Sequence, residues 1–196
     1  MRYGETDWNV EQRIQGHSDA PLNPGTSVAQ AKQLAKRISH EPFDHIYGPD
    51  LSRARHREIV FPKQNIQLDE RRREIYLGNF EGRWLEQLSD AEKQTLRSWW
   101  YGPYDLKVGG GESADDLRFR VRSWLDDLPK EGRIVAFSHG GTIRSILQLF
   151  TGREAGWTFN FKNTGISRIS FHEDVVRLDV VNDAAHLEFF AEEFLE

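Results

Sequence analysis

Arg133-Ile134-Val135-Ala136-Phe137-Ser138-His139-Gly140-Gly141-Thr142-Ile143-Arg144 is the stretch that decides the fold. Arg133 to Ser138 has the apolar, β-branched pattern of a buried strand. His139-Gly140-Gly141 reads as a tight turn, and Thr142 to Phe150 as an apolar helix. Strand, turn and helix in that order is the building block of α/β proteins. Such sheets carry their sites at the carboxyl ends of strands, where Ser138-His139 falls. His139 is therefore a candidate functional residue. The two glycines after it let a ligand approach the backbone, and the helix start at Gly140 favours an anion.

Working outward, Asn23-Pro24 reads as a helix cap with proline in the first turn. Val28, Ala31, Ala35 and Ile38 recur at helical spacing, which predicts an amphipathic helix over Pro24 to Ser39. His45-Ile46-Tyr47 is a short strand, Leu51 to Phe61 a helix stopped by Pro62, and Ile66 to Leu68 a brief strand. Trp84 to Trp100 and Ser113 to Leu128 read as two helices either side of Gly109-Gly110-Gly111. Ser167 to Phe171 and Val176 to Val181 are late strands expected to complete the sheet. Strands alternating with helices predict a three-layer α/β/α arrangement with a mostly parallel central sheet. A chain of 196 residues fits one domain, 1–196.

Composition narrows the function classes. Hydrophobic residues make up 38% and charged residues 29%, which suits a folded globular chain. There are no cysteines, so disulfides, thiol catalysis and cysteine-based zinc sites are excluded, and a reducing compartment is expected. No apolar run reaches the length of a membrane helix, and no basic-then-apolar leader opens the chain. The expected location is cytoplasmic, with no membrane partner. A net charge of −5 argues against nucleic acid as a partner. An anionic ligand must then be met by a local arginine cluster. Arg2 and Arg53 are candidates, because two guanidinium forks can clamp phosphoryl oxygens. Glu74 could protonate a departing ester oxygen. The run Arg71-Arg72-Arg73 reads most simply as a solvated face. Glu112 could cap the next helix or line a pocket, and Asn182-Asp183 with His186 form a turn or a pocket rim. Trp99, Trp100, Tyr101 and Tyr104 are core or a cover over a site.

Taken together, the motifs resemble one family. Arg2-Tyr3-Gly4-Glu5-Thr6-Asp7-Trp8-Asn9, Arg13-Ile14-Gln15-Gly16, Asp19-Ala20-Pro21-Leu22 and Gly25 look like the opening signature of the histidine phosphatase superfamily, which includes the cofactor-dependent phosphoglycerate mutases. Asp50-Leu51-Ser52-Arg53-Ala54 resembles its second motif. Glu74 with Gly78 and Glu81-Gly82 resembles its third. Gly110-Gly111-Glu112-Ser113 and Ser138 to Arg144 resemble the last two, and Asn182 to Leu187 a common ending. The resemblance implies a phosphoglycerate mutase-like fold and a phosphomonoesterase, whose histidine attacks a phosphate ester and passes the phosphoryl group to water. It places Arg2, Arg53, Gly140 and His139 around the phosphoryl group and Asn9 in the pocket lining. Glu74 would be acid and base. The implied ligand is a small phosphorylated substrate or inorganic phosphate, with no metal and no organic cofactor.

The chain departs from that pattern at informative positions. Tyr3 holds the nucleophile position, and a phenol, with an ordinary pKa of about 10, is mostly protonated at neutrality. Weak turnover is the expectation; a phosphate-ester-binding protein without catalysis, or a mutase, is the alternative. The family has an apolar strand before Arg2, where this sequence has Met1, so either the chain begins upstream or another segment fills the gap. Arg55-His56-Arg57 stands where shorter polar residues are usual, and Arg72 where leucine is common.

Overall fold

The computed structural model describes residues 1–51, 56–154, 160–173 and 175–190. After a one-turn helix α1 (Asp7–Val10), capped by Thr6 and Asn9 in a reciprocal box, comes α2 (Thr26–Ile38). Asn23 caps the start of α2 as its sequence position predicts: its Oδ1 accepts from Gly25 N at 3.0 Å and Thr26 N at 3.1 Å. The buried face of α2 is Ser27, Ala31, Leu34 and Ile38, whereas Val28 is exposed. The stripe is rotated from the Val28–Ala35 line because Phe137 and Val60 pack on the Leu34 side.

The strands β1 (His45–Gly48) and β2 (Gln67–Leu68) flank a short helix α3 (His56–Val60). The Trp84 to Trp100 segment, expected as one helix, is broken. Leu85–Gln87 is a 3₁₀ turn, and Ser89 then caps α4 (Asp90–Tyr101) with Glu92 in a capping box. Ser113, with Asp116, caps α5 (Ala114–Asp126), so the cap is one residue beyond Glu112. β3 (Ile134–Ala136) leads through His139 into α6 (Gly140–Thr151), and β4 (Ile166–His172) and β5 (Val175–Asp183) close the chain.

β2, β1 and β3 pair in parallel in that order, with Ile46 opposite Val135. Alternation sends Phe137 to one face, among Leu34, Ile38 and Val60, and Tyr47 to the other, against Trp124 of α5. Helices therefore cover both faces, as an α/β sheet requires. Fully buried Phe137 contributes roughly 1.5–3 kcal/mol through its apolar surface. β4 and β5 differ from expectation in pairing antiparallel with each other, as a ladder separate from the parallel one. The backbone of Met1 to Tyr3 lies between the two ladders. Ser138 N donates to Met1 O at 2.9 Å, Tyr3 N to Ser138 O at 3.1 Å, and Arg2 N to Gly165 O at 3.1 Å. Short as it is, this segment takes the central position that the sequence pattern left open, and it delivers Arg2 and Tyr3 to the carboxyl end of β3.

Candidate active site

His139 ends the extended run from β3 and stands as the N-cap residue of α6. Its ring is fully buried and meets the Tyr3 ring edge-on, with centroids 4.8 Å apart. The structure thus brings together two residues 136 positions apart in sequence. Arg2 lies beside them. Its Nη1 donates to Phe161 O, and its buried Nε has no hydrogen-bond partner among the described residues. That Nε lies 4.0 Å from where a Cβ on Gly140 would sit. A buried donor without an acceptor, beside a glycine at a helix N-terminus, is the arrangement that an anion's oxygen completes.

Glu74 is not a solvated charge. Its carboxylate accepts from Gly141 N at 2.9 Å, Thr142 N at 3.2 Å and Ile75 N at 3.0 Å. Two of these donors are first-turn amides of α6, which lack intrahelical acceptors and carry the positive end of the helix dipole. Gly141 is required here: a Cβ would fall 2.4 Å from Glu74 Oε1 and 2.7 Å from the Trp99 ring. The Glu74 backbone is held too. Its carbonyl accepts from Arg120 Nη2 at 2.8 Å and from His17 Nε2 at 2.8 Å, and since a carbonyl only accepts, His17 carries its proton on Nε2. Burial pushes the His17 pKa down and Arg120 adds to this, while Glu112, the Glu74 carbonyl and Glu81 pull it up; the net is a lowered value. Arg120 also grips Glu112 in a two-pronged pair at 2.7 and 2.8 Å and donates to Arg71 O and Arg73 O at 2.8 Å. Glu112 in turn accepts from Tyr76 N at 2.9 Å. Its role is to fix the Glu74 segment rather than to cap α5.

Tyr3 reaches away from its backbone into the loop that carries Gln15. Its hydroxyl donates to Gln15 Oε1 at 2.7 Å. Gln15 belongs to a small polar network: its Nε2 donates to Thr6 Oγ1 at 3.0 Å, and Asn9 Nδ2 donates to its Oε1 at 3.3 Å. Asn9 is thereby placed next to Tyr3 through Gln15, with its own Oδ1 accepting from Thr6 N and Asn163 Nδ2. The loop carrying Gln15 is tied down by Glu81, which accepts from His17 N, Ser18 N, Ser18 Oγ and Leu77 N at 2.5–2.9 Å. Arg53, the second expected phosphate ligand, lies outside the described residues.

The floor of the site contains a correction. Arg72, read as part of a solvated run, is fully buried. Phe137 N donates to Tyr47 O at 2.9 Å, so the parallel ladder would next bring the N–H of residue 49 to Phe137 O. Residue 49 is proline and has no N–H. Arg72 Nη2 donates to Phe137 O instead, while the guanidinium stacks over Trp124, 4.8 Å from the ring centroid. Burial pulls its pKa down to about 9. The Pro49 carbonyl accepts from the buried Arg57, 3.3 Å away. Arg57 and Arg72, two of the positions that depart from the family pattern, therefore meet where β1 ends. Of the neighbours in the run, Arg73 pairs with Asp50 and Arg71 with Asp69 and Asp127.

The remaining candidates sit apart from this centre or at its edge. His186 is buried and shares a 3.0 Å hydrogen bond with Thr164, whose N donates to Tyr3 O. Asp183 caps Ala185 N and pairs with Arg37. Trp99 and Trp100, with rings 4.4 Å apart, form a wall of a crevice shared with Arg144. Gln15, His17 and Arg120 had no individual signal in the sequence, because their roles come from hydrogen bonds to backbone and side chains set by the fold.

The family model of the histidine phosphatase superfamily (branch 1) matches residues 1–184. The chain belongs to that superfamily. It is 32% identical to the probable phosphoglycerate mutase GpmB of Escherichia coli O139:H28, covering 96% of this chain and 93% of that protein. Among solved structures it is similar to Bacillus stearothermophilus YhfR, with a TM-score of 0.83, 29% identity and coverage of 95% and 96% of the two chains. The Entamoeba histolytica phosphoserine phosphatase in complex with 3-phosphoglyceric acid gives the same TM-score, identity and coverage. The fold is thus phosphoglycerate mutase-like.

Proposed function

We propose that residues 1–196 form a single histidine phosphatase domain that binds small phosphate monoesters and inorganic phosphate, and hydrolyses the esters only weakly. The observation that carries this reading is the convergence of Arg2, Tyr3, His139 and the α6 N-terminus at the carboxyl end of β3, with the Arg2 Nε left as a buried donor beside Gly140. Arg2, Arg53, Gly140 and His139 hold the phosphoryl oxygens, Asn9 lines the pocket, and Glu74 returns a proton to the departing oxygen. Relatives named as phosphatases and as a phosphoglycerate mutase support a phosphomonoester as the ligand. Neither a metal nor an organic cofactor takes part in this reading. The cysteine-free composition fits a cytoplasmic protein.

Weak turnover follows from the chemistry of a phenol at position 3. A phenol attacks phosphorus only after giving up its proton, and the Gln15 amide oxygen that receives its hydrogen bond is no base. That same bond favours a second reading, a phosphate-ester-binding protein that has lost catalysis. The test is hydrolysis of p-nitrophenyl phosphate by the native chain and by Tyr3→His, with phosphate binding followed by titration calorimetry. Tyr3→His should raise kcat/KM by about 100-fold or more, on the scale of a working nucleophile and its acid. Equal cleavage by both chains would refute the role given to position 3. Phosphate binding with no cleavage by either chain would favour the second reading, and no phosphate binding at all would sink both.

A further inference from the structure

Asn182 lies at the end of β5 and His186 in the 3₁₀ turn that follows, Ala185–Phe190. The chemistry of the site uses neither. Both reach back to one turn, residues 160–165, and that turn holds the start of the chain. Phe161 O accepts from Arg2 Nη1, Gly165 O accepts from Arg2 N at 3.1 Å, and Thr164 N donates to Tyr3 O at 3.2 Å. Asn163 Nδ2 donates to Asn9 Oδ1 at 3.3 Å. Arg2, Tyr3 and Asn9, which the start of the chain brings to the pocket, are thus all tied to this turn.

We propose that Asn182 and His186 are positioning residues for phosphate binding: each holds one peptide plane of the 160–165 turn, and through those planes they set the Arg2 guanidinium and the Tyr3 backbone. This rests on the phosphate-ester reading above and adds residues to the same site. A peptide group is planar and trans, so its C=O and N–H point in opposite directions and turn together. The plane between Phe161 and Lys162 gives its carbonyl to Arg2 Nη1 and its N–H to Asn182 Oδ1, at 2.8 Å. Asn182 Nδ2 donates to Asn160 O at 2.9 Å, so one amide side chain bridges the peptides on both sides of Phe161. Gly165 makes room for it, since a Cβ there would fall 2.7 Å from Asn182 Oδ1. Rotation of the Phe161 plane would withdraw the carbonyl from Arg2 and let the guanidinium swing, with its buried Nε no longer kept beside Gly140.

The plane between Asn163 and Thr164 is held in the same manner. Its N–H goes to Tyr3 O, and its carbonyl accepts from the Thr164 hydroxyl at 2.7 Å. A hydroxyl has one proton to donate, so the Thr164 oxygen accepts from His186 Nε2, 3.0 Å away, and the imidazole proton sits on Nε2. His186 Nδ1 is buried with no hydrogen-bond partner among the described residues. Burial lowers the His186 pKa, Asp183 offsets part of this and Arg37 adds to it, which keeps the ring uncharged at neutral pH. Thr164 and Asn182 both hold φ at 56°. For a β-branched residue that conformation is rare and strained, and the contacts on either side of Thr164 keep it there.

The test is calorimetric titration of inorganic phosphate into the native chain, Asn182→Gly, His186→Leu, His186→Gln and Asp183→Ala, with a thermal melt of each. Glycine accepts the positive φ at position 182 and removes only the side-chain bridge. It should weaken phosphate binding about 10-fold or more, on the scale of one charge-assisted hydrogen bond. His186→Leu should weaken it at least about threefold, whereas His186→Gln, whose amide still donates to Thr164, should stay within about twofold of native. Asp183→Ala is the control for stability alone. Its carboxylate caps Ala185 N and pairs with Arg37 rather than with the turn. That variant should melt at a lower temperature and keep phosphate affinity within about twofold of native. Native affinity in a folded Asn182→Gly chain overturns the proposal, as does a loss no larger than that of Asp183→Ala. Equal affinity in the two His186 variants overturns it too, and that pair decides should Asn182→Gly fail to fold. Failure of phosphate to bind the native chain would refute the parent reading and this one with it; native binding that none of the variants weakens would refute this one only.

Discussion

Arg72→Leu and Pro49→Ala, made singly and together, test whether a buried guanidinium stands in for the N–H that proline lacks. The structure sets the terms. Arg72 is fully buried, and its Nε and Nη1 have no hydrogen-bond partner among the described residues. Removing an imperfectly satisfied buried charge relieves several kcal/mol of desolvation. Against that, the stacking over Trp124 is lost, at up to about 2 kcal/mol. The Phe137 carbonyl is left without its donor, at about 1–3 kcal/mol. These terms nearly cancel, so Arg72→Leu should lie within about 1.5 kcal/mol of native in urea unfolding. Pro49→Ala alone gains nothing, because Arg72 already occupies the carbonyl, and it loses up to about 1 kcal/mol by loosening the unfolded chain. In the Arg72→Leu background the new alanine N–H can close the ladder on Phe137 O. The unfolded-chain term is the same in both backgrounds and drops out of the cycle. The expected coupling is about 1–3 kcal/mol in favour of the double variant. A coupling indistinguishable from zero would mean that the Arg72–Phe137 bond does not replace a ladder bond, and the account of this corner would be wrong.

Three further outcomes follow from the same geometry. Glu81→Ala strips acceptors from three backbone amides and the Ser18 hydroxyl and should cost about 2–4 kcal/mol, with faster tryptic cleavage at Arg13 as the local readout; unchanged stability would remove Glu81 as the anchor of that loop. Gly141→Ala drives a methyl group into Glu74 and Trp99, so in the Tyr3→His chain it should cut p-nitrophenyl phosphate hydrolysis at least about 10-fold, at about 1–3 kcal/mol of stability. A rate equal to that of Tyr3→His alone would mean that Glu74 need not stay on the α6 amides. Burial works to raise the Glu112 pKa, but the Arg120 pair and the Tyr76 amide outweigh it and hold the carboxyl below its ordinary value. A lowered folded-state value contributes stability that is complete above the unfolded pKa of about 4.3 and is lost as the pH falls through the folded one. The melting-temperature gap between native and Glu112→Gln should therefore be widest near pH 7 and close as the pH falls below about 4; a gap that stays constant down to pH 3 would contradict the pairing.

Local rules carried the sequence a long way. The β3–His139–α6 unit is written in consecutive residues, as a β-branched run, two glycines and an apolar helix. The caps at Asn23 and Ser113 stand where their side chains can reach amides two or three residues on. The order of the motifs was enough to give the family and its fold. Other features depended on partners far along the chain. Whether Arg72 is solvated or buried is decided by a carbonyl 65 residues away and by a proline just past the end of β1. Glu74 looked like a surface charge because the α6 amides that hold it lie 67 and 68 residues downstream. The antiparallel β4–β5 pair, and the place of Met1 to Tyr3 between two ladders, follow from which backbone groups remain to be satisfied once the parallel strands have paired. Sequence determined the elements and the chemical inventory, since these arise from neighbours within a turn or a strand. Tertiary structure alone decided which charges are buried and what the Tyr3 hydroxyl faces, because burial and hydrogen bonding depend on groups that only folding brings together.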